Sequence, residues 1–182
     1  FISERVNQIR NWNMNFIHGD ILDKELIYKH CHDADVVHHL AGVTAVPRVL
    51  SEADNEKEKI IEEVAVEGTQ NILDAINENC KIIMPSTHVV YENIKEVKEN
   101  INEYEETCPI LSYAKSKDIN EKQLKKSGKN YVILRLGSVY GYTNDATRLD
   151  IMTNLFSKIT SQDGTIKLFS GGRQIKSLVP LI

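Results

Sequence analysis

The sequence predicts an α/β fold with a doubly wound parallel sheet, from two features of its hydropathy pattern. Four short apolar runs, at 15–18, 36–40, 81–84 and 131–136, are continuous rather than alternating, as is typical of strands buried on both faces. The last three runs are separated by segments of helical character, which indicates parallel strands joined by right-handed crossovers. Because ligands in such sheets bind beyond the carboxyl ends of the strands, the residues after each run are the candidate site.

The composition indicates one soluble domain of ordinary size. The 182 residues carry 22 Lys+Arg and 26 Asp+Glu, a net charge of −4, which argues against a nucleic-acid-binding protein. No stretch approaches the roughly 18 apolar residues of a membrane span. Because residue 1 is Phe rather than Met, we expect that translation does not start at this residue. Residues 1–15 lack the apolar core of a signal peptide. The 3 cysteines have unpatterned spacings, which favours a reducing, cytoplasmic location.

Two helices are predicted between the last three strands. The first, 51–79, carries Ile60, Val64, Ile72 and Ile76 at multiples of four, which predicts one apolar face. The second covers 113–126. Residues 92–111 are polar and end near a proline, so we expect a surface excursion between the third strand and the second helix.

Small or hydroxyl residues follow all four apolar runs. The segments are HGDILD at 18–23, AGVT at 41–44, PSTHVVY at 85–91 and GSVYG at 137–141. Small residues let a ligand approach the backbone, so these segments are expected to line one crevice. Asp20 can alternatively cap a following helix, with Asp23 in its first turn.

Tyr113 and Lys117 are a candidate acid/base pair at the start of the second helix. Residues four apart lie on one helical face, and an ammonium near a phenol lowers the phenol pKa towards the range useful for proton transfer. Tyr91 and Lys95 have the same spacing but fall in the charged excursion. Since only the first pair has a rigid element to hold it, we predict that Tyr113 and Lys117 carry the chemistry.

Two histidine-containing segments offer weaker signals. The run from His30 to Asp33 resembles a metal cluster, but adjacent ligands cannot converge on one ion from regular backbone, so no metal is expected. His38 and His39 lie on opposite faces of a strand, so at most one can face the crevice.

Six motifs occur together in one order: HGDILD, VVHHLAG, EGTQNILDA, STHVVY, YAKSK and LRLGSVYG. In order and spacing the chain resembles the extended short-chain dehydrogenase/reductases, specifically the NAD-dependent epimerase/dehydratase family that acts on nucleotide sugars. The resemblance implies a Rossmann-like fold and a nicotinamide cofactor, NAD or NADP, with NAD favoured.

The resemblance also implies roles for individual residues. The catalytic residues would be Thr87, Tyr113 and Lys117. Asp20 and Ile21 would hold the adenine, while Lys117 would hold the cofactor ribose. Residues beside the pyrophosphate and ribose would be Leu40, Ala41, Gly42 and Thr44. The backbone at Ser138 and Val139 would meet the nicotinamide carboxamide, and Thr87, Ser138 and Lys176 would contact substrate.

The chain also departs from the family pattern. The glycine-rich turn that binds pyrophosphate at a helix N-terminus is not in the sequence. We therefore expect residues 1–182 to be a partial NAD(P)-binding domain that lacks the first βαβ unit and the C-terminal substrate domain, with the transition to that domain beginning near 165–182. This segment alone is expected to bind dinucleotide poorly and to be inactive. Ala65, Ser138 and Lys176 replace the family's usual Asn, Asn and Arg.

The expected function is an NAD(P)-dependent epimerase or keto/alcohol oxidoreductase acting on a nucleotide sugar. His88 and Val89 stand where the family's dehydratases carry an Asp and a Glu, which argues against elimination of water. Alternatives are a reductase of another small carbonyl substrate and a non-catalytic dinucleotide-binding relative. The resemblance further implies a homodimer through helices 51–79 and 113–126.

Overall fold

The computed structural model describes residues 2–43, 55–96, 98–142, 149, 151–173 and 175–181. The chain divides into two compact units, one formed by residues 19–135 and the other by residues 1–18 and 136–182. The helices are α1 (Ile2–Asn11), α2 (Lys24–Cys31), α3 (Asn55–Ala75), α4 (Ser112–Lys126) and α5 (Met152–Ser161). The strands are β1 (Val36–His38), β2 (Lys81–Thr87), β3 (Asn130–Leu136), β4 (Ser138–Tyr140) and β5 (Leu178–Pro180).

A three-stranded sheet in the order β1-β2-β3 organises the larger unit. β1 and β2 are parallel, with Val36 opposite Lys81 and His38 opposite Ile83. α3 connects β1 to β2, and α4 connects β2 to β3. This arrangement confirms the predicted α/β class with a parallel sheet, and it turns the carboxyl ends of β1 and β2 towards the same edge.

The core of the larger unit lies between this sheet and its helices. Its buried residues are Ile72, Leu73, Ile76, Cys80, Ile82, Met84 and Leu124. Gly68 lets α3 approach the segment before α2, because a Cβ at this position would lie 2.8 Å from Cγ2 of Ile21. A side chain at residue 68 would therefore push Ile21 out of its packing position.

Local sequence signals set the helix ends in this unit. Asp23 caps α2, with its Oδ1 accepting a hydrogen bond of 3.0 Å from the Leu26 N–H. Asp20 is not the cap; its Oδ1 accepts from the Leu22 N–H at 2.9 Å. α4 ends before Gly128, whose φ of +71° is a conformation that glycine adopts without strain.

Three expectations from the pattern are wrong. Residues 14–20 contain no strand, because a strand persists only with a partner for its backbone groups and this run pairs with no described residue. Of the predicted apolar stripe, Ile72 and Ile76 are buried and Val64 is half-buried, but Ile60 is 51% exposed and its neighbour Ile61, which is 1% exposed, takes the core position. β3 is an edge strand, and its Tyr131 and Val132 remain more than a third exposed, so this run is not buried on both faces.

The smaller unit contains α1, α5 and a two-stranded parallel sheet of β4 and β5. The backbone at Gly137, directly before β4, passes close to the backbone of Ser177, since a Cβ at residue 137 would lie 2.8 Å from the Ser177 carbonyl oxygen. The stretch near 165–182, where the transition to another domain was expected, contributes β5 to this unit. Across the described residues, every helix is too short or too polar to cross a membrane.

Candidate active site

The three predicted catalytic residues lie on packed elements of the larger unit. Thr87 is the last residue of β2, Tyr113 is in the first turn of α4, and Lys117 follows one turn later. α4 packs against β2 and against the 3₁₀ helix His88–Tyr91 that follows it. The predicted helix at this position is confirmed, so Tyr113 and Lys117 are neighbours on one helical face.

Tyr91, from the competing Tyr–Lys pair, has a structural role. Its O–H donates to the Asn102 carbonyl at 3.0 Å, and its oxygen accepts a hydrogen bond from Arg135. Lys95 lies beyond the end of the 3₁₀ helix. This pair therefore lacks the helical frame that α4 provides for Tyr113 and Lys117.

The Thr87 side chain sits at the turn from β2 into the 3₁₀ helix. It is 8% exposed, and its Oγ1 accepts a hydrogen bond of 3.3 Å from the Val89 N–H. Because this oxygen acts here as an acceptor, its own proton can be donated to a ligand.

His39 is buried directly after β1, where the charge of the half-buried Lys117 of α4 acts on it. His39 is 3% exposed, and its Nε2 lies 2.8 Å from Oγ1 of Thr69 on α3. Burial, and secondarily the charge of Lys117, lower the pKa of His39 to about 4. Burial likewise lowers the pKa of Lys117. His38 is exposed, so the two neighbouring histidines face opposite sides as predicted.

A pH-dependent stability is expected from His39. Its pKa is about 4 in the folded protein and 6.5 in the unfolded chain, so only the unfolded chain gains a proton between these values. The free energy of unfolding should therefore fall as pH decreases from 6.5 to 4, by up to about 1.4 kcal/mol per pH unit. Urea titrations at several pH values would measure this slope.

The matched variant for this measurement is His39→Gln, which keeps a polar side chain beside Thr69 but cannot titrate. Its slope between pH 6.5 and 4 should be smaller than that of the parent protein. His38→Gln, at the exposed neighbour, should leave the slope unchanged. Equal slopes in the parent and His39→Gln would contradict the assignment.

A buried ion-pair cluster lies beneath the candidate catalytic residues. Glu121, on α4 one turn after Lys117, is 1% exposed. Its carboxylate accepts hydrogen bonds from Arg135 of β3, with Nη2–Oε2 at 2.6 Å and Nε–Oε1 at 2.9 Å, and from Oγ of Ser86 at 2.6 Å. Burial raises the Glu121 pKa, but the hydrogen bonds from Arg135 and Ser86 outweigh it and leave the pKa below its usual value. Ser86 is the residue before Thr87.

This cluster was not among the features predicted from the sequence. The one sequence feature that points to this cluster is that Glu121 follows Lys117 at the same four-residue spacing that relates Lys117 to Tyr113. A charged side chain on that face of the helix must either reach solvent or pair with an opposite charge. Its partner, Arg135, lies 14 positions further along the chain. Only the packing of α4 against the sheet brings the two charges together.

The residues expected to hold the cofactor fall into two groups within the larger unit. Leu40, Ala41 and Gly42 are exposed just beyond β1, and a Cβ added at Gly42 would meet no atom of the described residues within 4 Å. Asp20 is exposed before α2. Ile21 is half-buried, packs on the core, and accepts a 3.0 Å hydrogen bond from Asn71 at its carbonyl.

The remaining expected ligand-binding residues lie elsewhere. Ser138 and Val139 are half-buried in β4 of the smaller unit, and the Ser138 N–H donates to the Ser177 carbonyl at 2.8 Å. Lys176 is exposed directly before Ser177 in the same unit. Thr44 lies outside the described residues.

The His30–Asp33 run has ordinary structural contacts. His32 Nδ1 lies 3.0 Å from the Tyr28 carbonyl, Nε2 lies 2.9 Å from the Asp33 carboxylate, and its ring stacks on Tyr28. Among the described residues no group of His, Cys, Asp or Glu is arranged to hold a metal ion.

A parallel α/β sheet with Thr, Tyr and Lys positioned by β2 and α4 can be compared with known families. The sequence model of the NAD dependent epimerase/dehydratase family matches residues 2–179. The chain belongs to this family. A curated family relative, CDP-paratose 2-epimerase of Salmonella typhi, is 38% identical over 103 residues, which are 53% of this chain and 28% of that protein.

Solved structures of nucleotide-sugar enzymes share the fold of this epimerase/dehydratase chain. UDP-glucuronic acid 4-epimerase of Bacillus cereus, in complex with UDP-glucuronic acid and NAD, is 25% identical, with a TM-score of 0.74 over 98% of this chain and 57% of that one. UDP-glucose 4-epimerase of Thermotoga maritima with UDP-glucose is 21% identical, with a TM-score of 0.75 over 92% of this chain and 55% of that one.

A dehydratase has a similar fold. The dTDP-glucose 4,6-dehydratase DesIV of Streptomyces venezuelae, with NAD bound, is 24% identical, with a TM-score of 0.71 over 92% of this chain and 51% of that one. The family member described here therefore spans about half the length of these solved structures.

Proposed function

We propose that this chain is part of an NAD-dependent enzyme that epimerises a nucleotide sugar or interconverts a keto group and an alcohol on it. The observation that carries the proposal is the packing of α4, with Tyr113 and Lys117, against the end of β2, where Thr87 stands. Family membership across residues 2–179 and the relatives named above support the same chemistry.

The residues present fit a dinucleotide cofactor. The exposed Leu40–Gly42 segment follows a parallel strand, and Gly42, which has no side chain, lets a ligand approach the backbone. Asp20 is exposed for contact with a ribose or adenine group. The bound NAD supplies a hydride acceptor and donor, and NAD is favoured over NADP because NAD is bound in similar solved structures.

Proton transfer is assigned to the protein. Tyr113 takes the proton from the sugar hydroxyl during oxidation and returns a proton to the same oxygen during reduction. Thr87 donates a hydrogen bond to that oxygen. Lys117 holds the cofactor ribose, and its ammonium, one helical turn from Tyr113, stabilises the phenolate that forms during proton transfer.

Epimerisation or simple redox chemistry is favoured over dehydration. Elimination of water from the sugar requires a further acid and base beside Tyr113. The two residues after Thr87 are His88 and Val89, and Val89 cannot transfer a proton. His88 without a base at residue 89 would leave the elimination incomplete after oxidation.

The test uses the whole protein that contains this chain. It is incubated with NAD and, in separate reactions, UDP-glucose, UDP-glucuronic acid, dTDP-glucose and a CDP-linked hexose, and the products are analysed by NMR and mass spectrometry. We expect an epimer of unchanged mass, or a keto sugar that has lost two hydrogens and retains all its oxygen atoms. A 4-keto-6-deoxy product, recognised by the mass loss of one water, would contradict the assigned reaction type.

A reductase of another small carbonyl substrate is the second candidate function, and the same Thr87, Tyr113 and Lys117 would serve it.

We also propose a homodimer formed through α3 and α4. These two helices pack together, with Asn120 donating a hydrogen bond to the Ala65 carbonyl at 2.8 Å, and Ile60 of α3 is exposed. Sedimentation of the whole protein as a monomer at micromolar concentration would contradict the dimer.

A further inference from the structure

The start of α4 has an unusual source of stabilisation. Helix N-termini leave backbone N–H groups without partners, which a side chain at the N-cap residue commonly satisfies. Here the N-cap residue is Leu111, which makes no such side-chain bond. Instead the Glu92 carboxylate, 19 positions earlier, accepts from the Leu111 N–H at 2.6 Å and also from the Ile110 N–H.

These bonds are favourable for two physical reasons. Hydrogen bonds from backbone N–H groups to an ionised carboxylate are stronger than those between neutral groups. A negative charge at the first turn of a helix also interacts favourably with the helix dipole. Glu92 is half-buried, so water competes less for its carboxylate than it would at an exposed position.

Glu92 also belongs to the turn that begins at Thr87. The Val89 N–H donates to Thr87 Oγ1 at 3.3 Å, and the Glu92 N–H donates to the Val89 carbonyl at 3.1 Å. The Glu92 side chain then holds Leu111, whose carbonyl accepts the first α-helical hydrogen bond of α4 from the Lys115 N–H at 2.9 Å. A continuous series of hydrogen bonds thus runs from Thr87 to the turn that carries Tyr113.

A backbone hydrogen bond also joins the two ends of the 92–111 excursion. The Cys108 N–H donates to the Val90 carbonyl at 2.7 Å, so both ends of the 92–111 excursion are joined at its base. The separation between β2 and α4 is therefore held by contacts near the base of the excursion.

We propose that Glu92 is a positioning residue that sets the placement of Tyr113 relative to Thr87 by holding the backbone at residues 110 and 111. The inference rests on the proposed function, in which both side chains act on one sugar oxygen. Glu92 itself touches neither substrate nor cofactor. Its substitution should therefore affect alignment in the transition state more than binding of the substrate.

The test compares Glu92→Ala, Glu92→Asp and Glu92→Gln in the whole protein, assayed with NAD and the nucleotide sugar from the panel above that gives the highest turnover. Since misalignment of about 1 Å can cost about 10²-fold in rate, Glu92→Ala should lower kcat by about 10- to 100-fold, with KM changed less than about threefold. Glu92→Asp, which is too short to reach both N–H groups, should lower kcat as well. Glu92→Gln keeps an acceptor oxygen and should retain most of the activity.

Amide hydrogen exchange provides a readout that does not require turnover. Glu92→Ala and Glu92→Asp should accelerate exchange in residues 108–116, while the core strands keep their protection. The matched control is Glu99→Ala, an exposed carboxylate of the same excursion, which should change neither kcat nor exchange. Faster exchange throughout the protein in Glu92→Asp would indicate general destabilisation and would overturn the positioning role.

The experiment separates this inference from the proposed function. If Tyr113→Phe lowers turnover but Glu92→Ala and Glu92→Asp leave both kcat and local exchange unchanged, Glu92 does not position Tyr113. If no nucleotide sugar is turned over, the proposed function fails, and the exchange data alone then decide whether Glu92 holds the start of α4. A drop in kcat for Glu92→Gln equal to that for Glu92→Ala would also overturn the proposal.

Discussion

Tyr113→Phe in the whole protein is expected to lower turnover by about 10²- to 10⁴-fold, the usual contribution of a positioned acid/base group. The substitution removes only the phenol O–H, and Tyr113 is half-buried at the first turn of α4, so folding and NAD binding should be nearly unchanged. Steady-state kinetics give the turnover, and calorimetric titration gives NAD affinity.

The control for Tyr113 is Tyr104→Phe, which removes the same group from a side chain that is 96% exposed on the excursion. Its turnover should match that of the parent protein. Unchanged turnover in Tyr113→Phe would remove Tyr113 from the mechanism. Loss of NAD binding together with turnover would instead indicate a structural role for the phenol.

Glu121→Ala is expected to cause a large loss of stability in the larger unit. The carboxylate is 1% exposed and pairs with Arg135 at 2.6 Å, so its removal leaves a mostly buried guanidinium and the Ser86 hydroxyl without this partner. Breaking a buried pair in this way costs about 3–5 kcal/mol. Urea unfolding of the whole protein would measure the change in the free energy of unfolding.

Two further variants make the Glu121 result specific. Replacing both charged partners, Glu121→Ala with Arg135→Met, should restore part of the lost stability, because no unpaired charge then remains buried. Glu63→Ala removes an exposed carboxylate from α3 and should change the free energy of unfolding by less than about 0.5 kcal/mol. A loss below about 1 kcal/mol for Glu121→Ala would show that the pair is less isolated from water than its burial indicates.

The predicted positions of three strands and of the second helix are confirmed. The runs at 36–40, 81–84 and 131–136 each overlap a strand of the observed sheet, and the helix predicted at 113–126 is observed as α4 from Ser112 to Lys126. The run at 15–18 has the same local pattern but forms no strand, because pairing depends on a neighbour rather than on the run itself. Hydropathy thus predicted where strands can form, but not which run finds a partner.

The error at Ile60 has a different cause. Ile60 lies twelve residues before Ile72, which places the two side chains about 120° apart around the helix. Ile61 lies eleven residues before Ile72, close to three whole turns, so it shares the buried face and is 1% exposed whereas Ile60 is 51% exposed. The 3.6-residue period of the helix therefore favours Ile61, and steps of four residues only approximate that period.

The sequence alone is sufficient to infer the α/β class, the family resemblance and the candidate residues Thr87, Tyr113 and Lys117. These inferences depend only on the order of the motifs and on the spacing of residues along the chain. The tertiary structure decided how those residues are supported. Glu92 meets Leu111 and Glu121 meets Arg135 only after β2, α4 and β3 have packed together. Such contacts join residues distant in the chain, and the free energy of a buried or helix-capping carboxylate depends on the partners that folding brings to it.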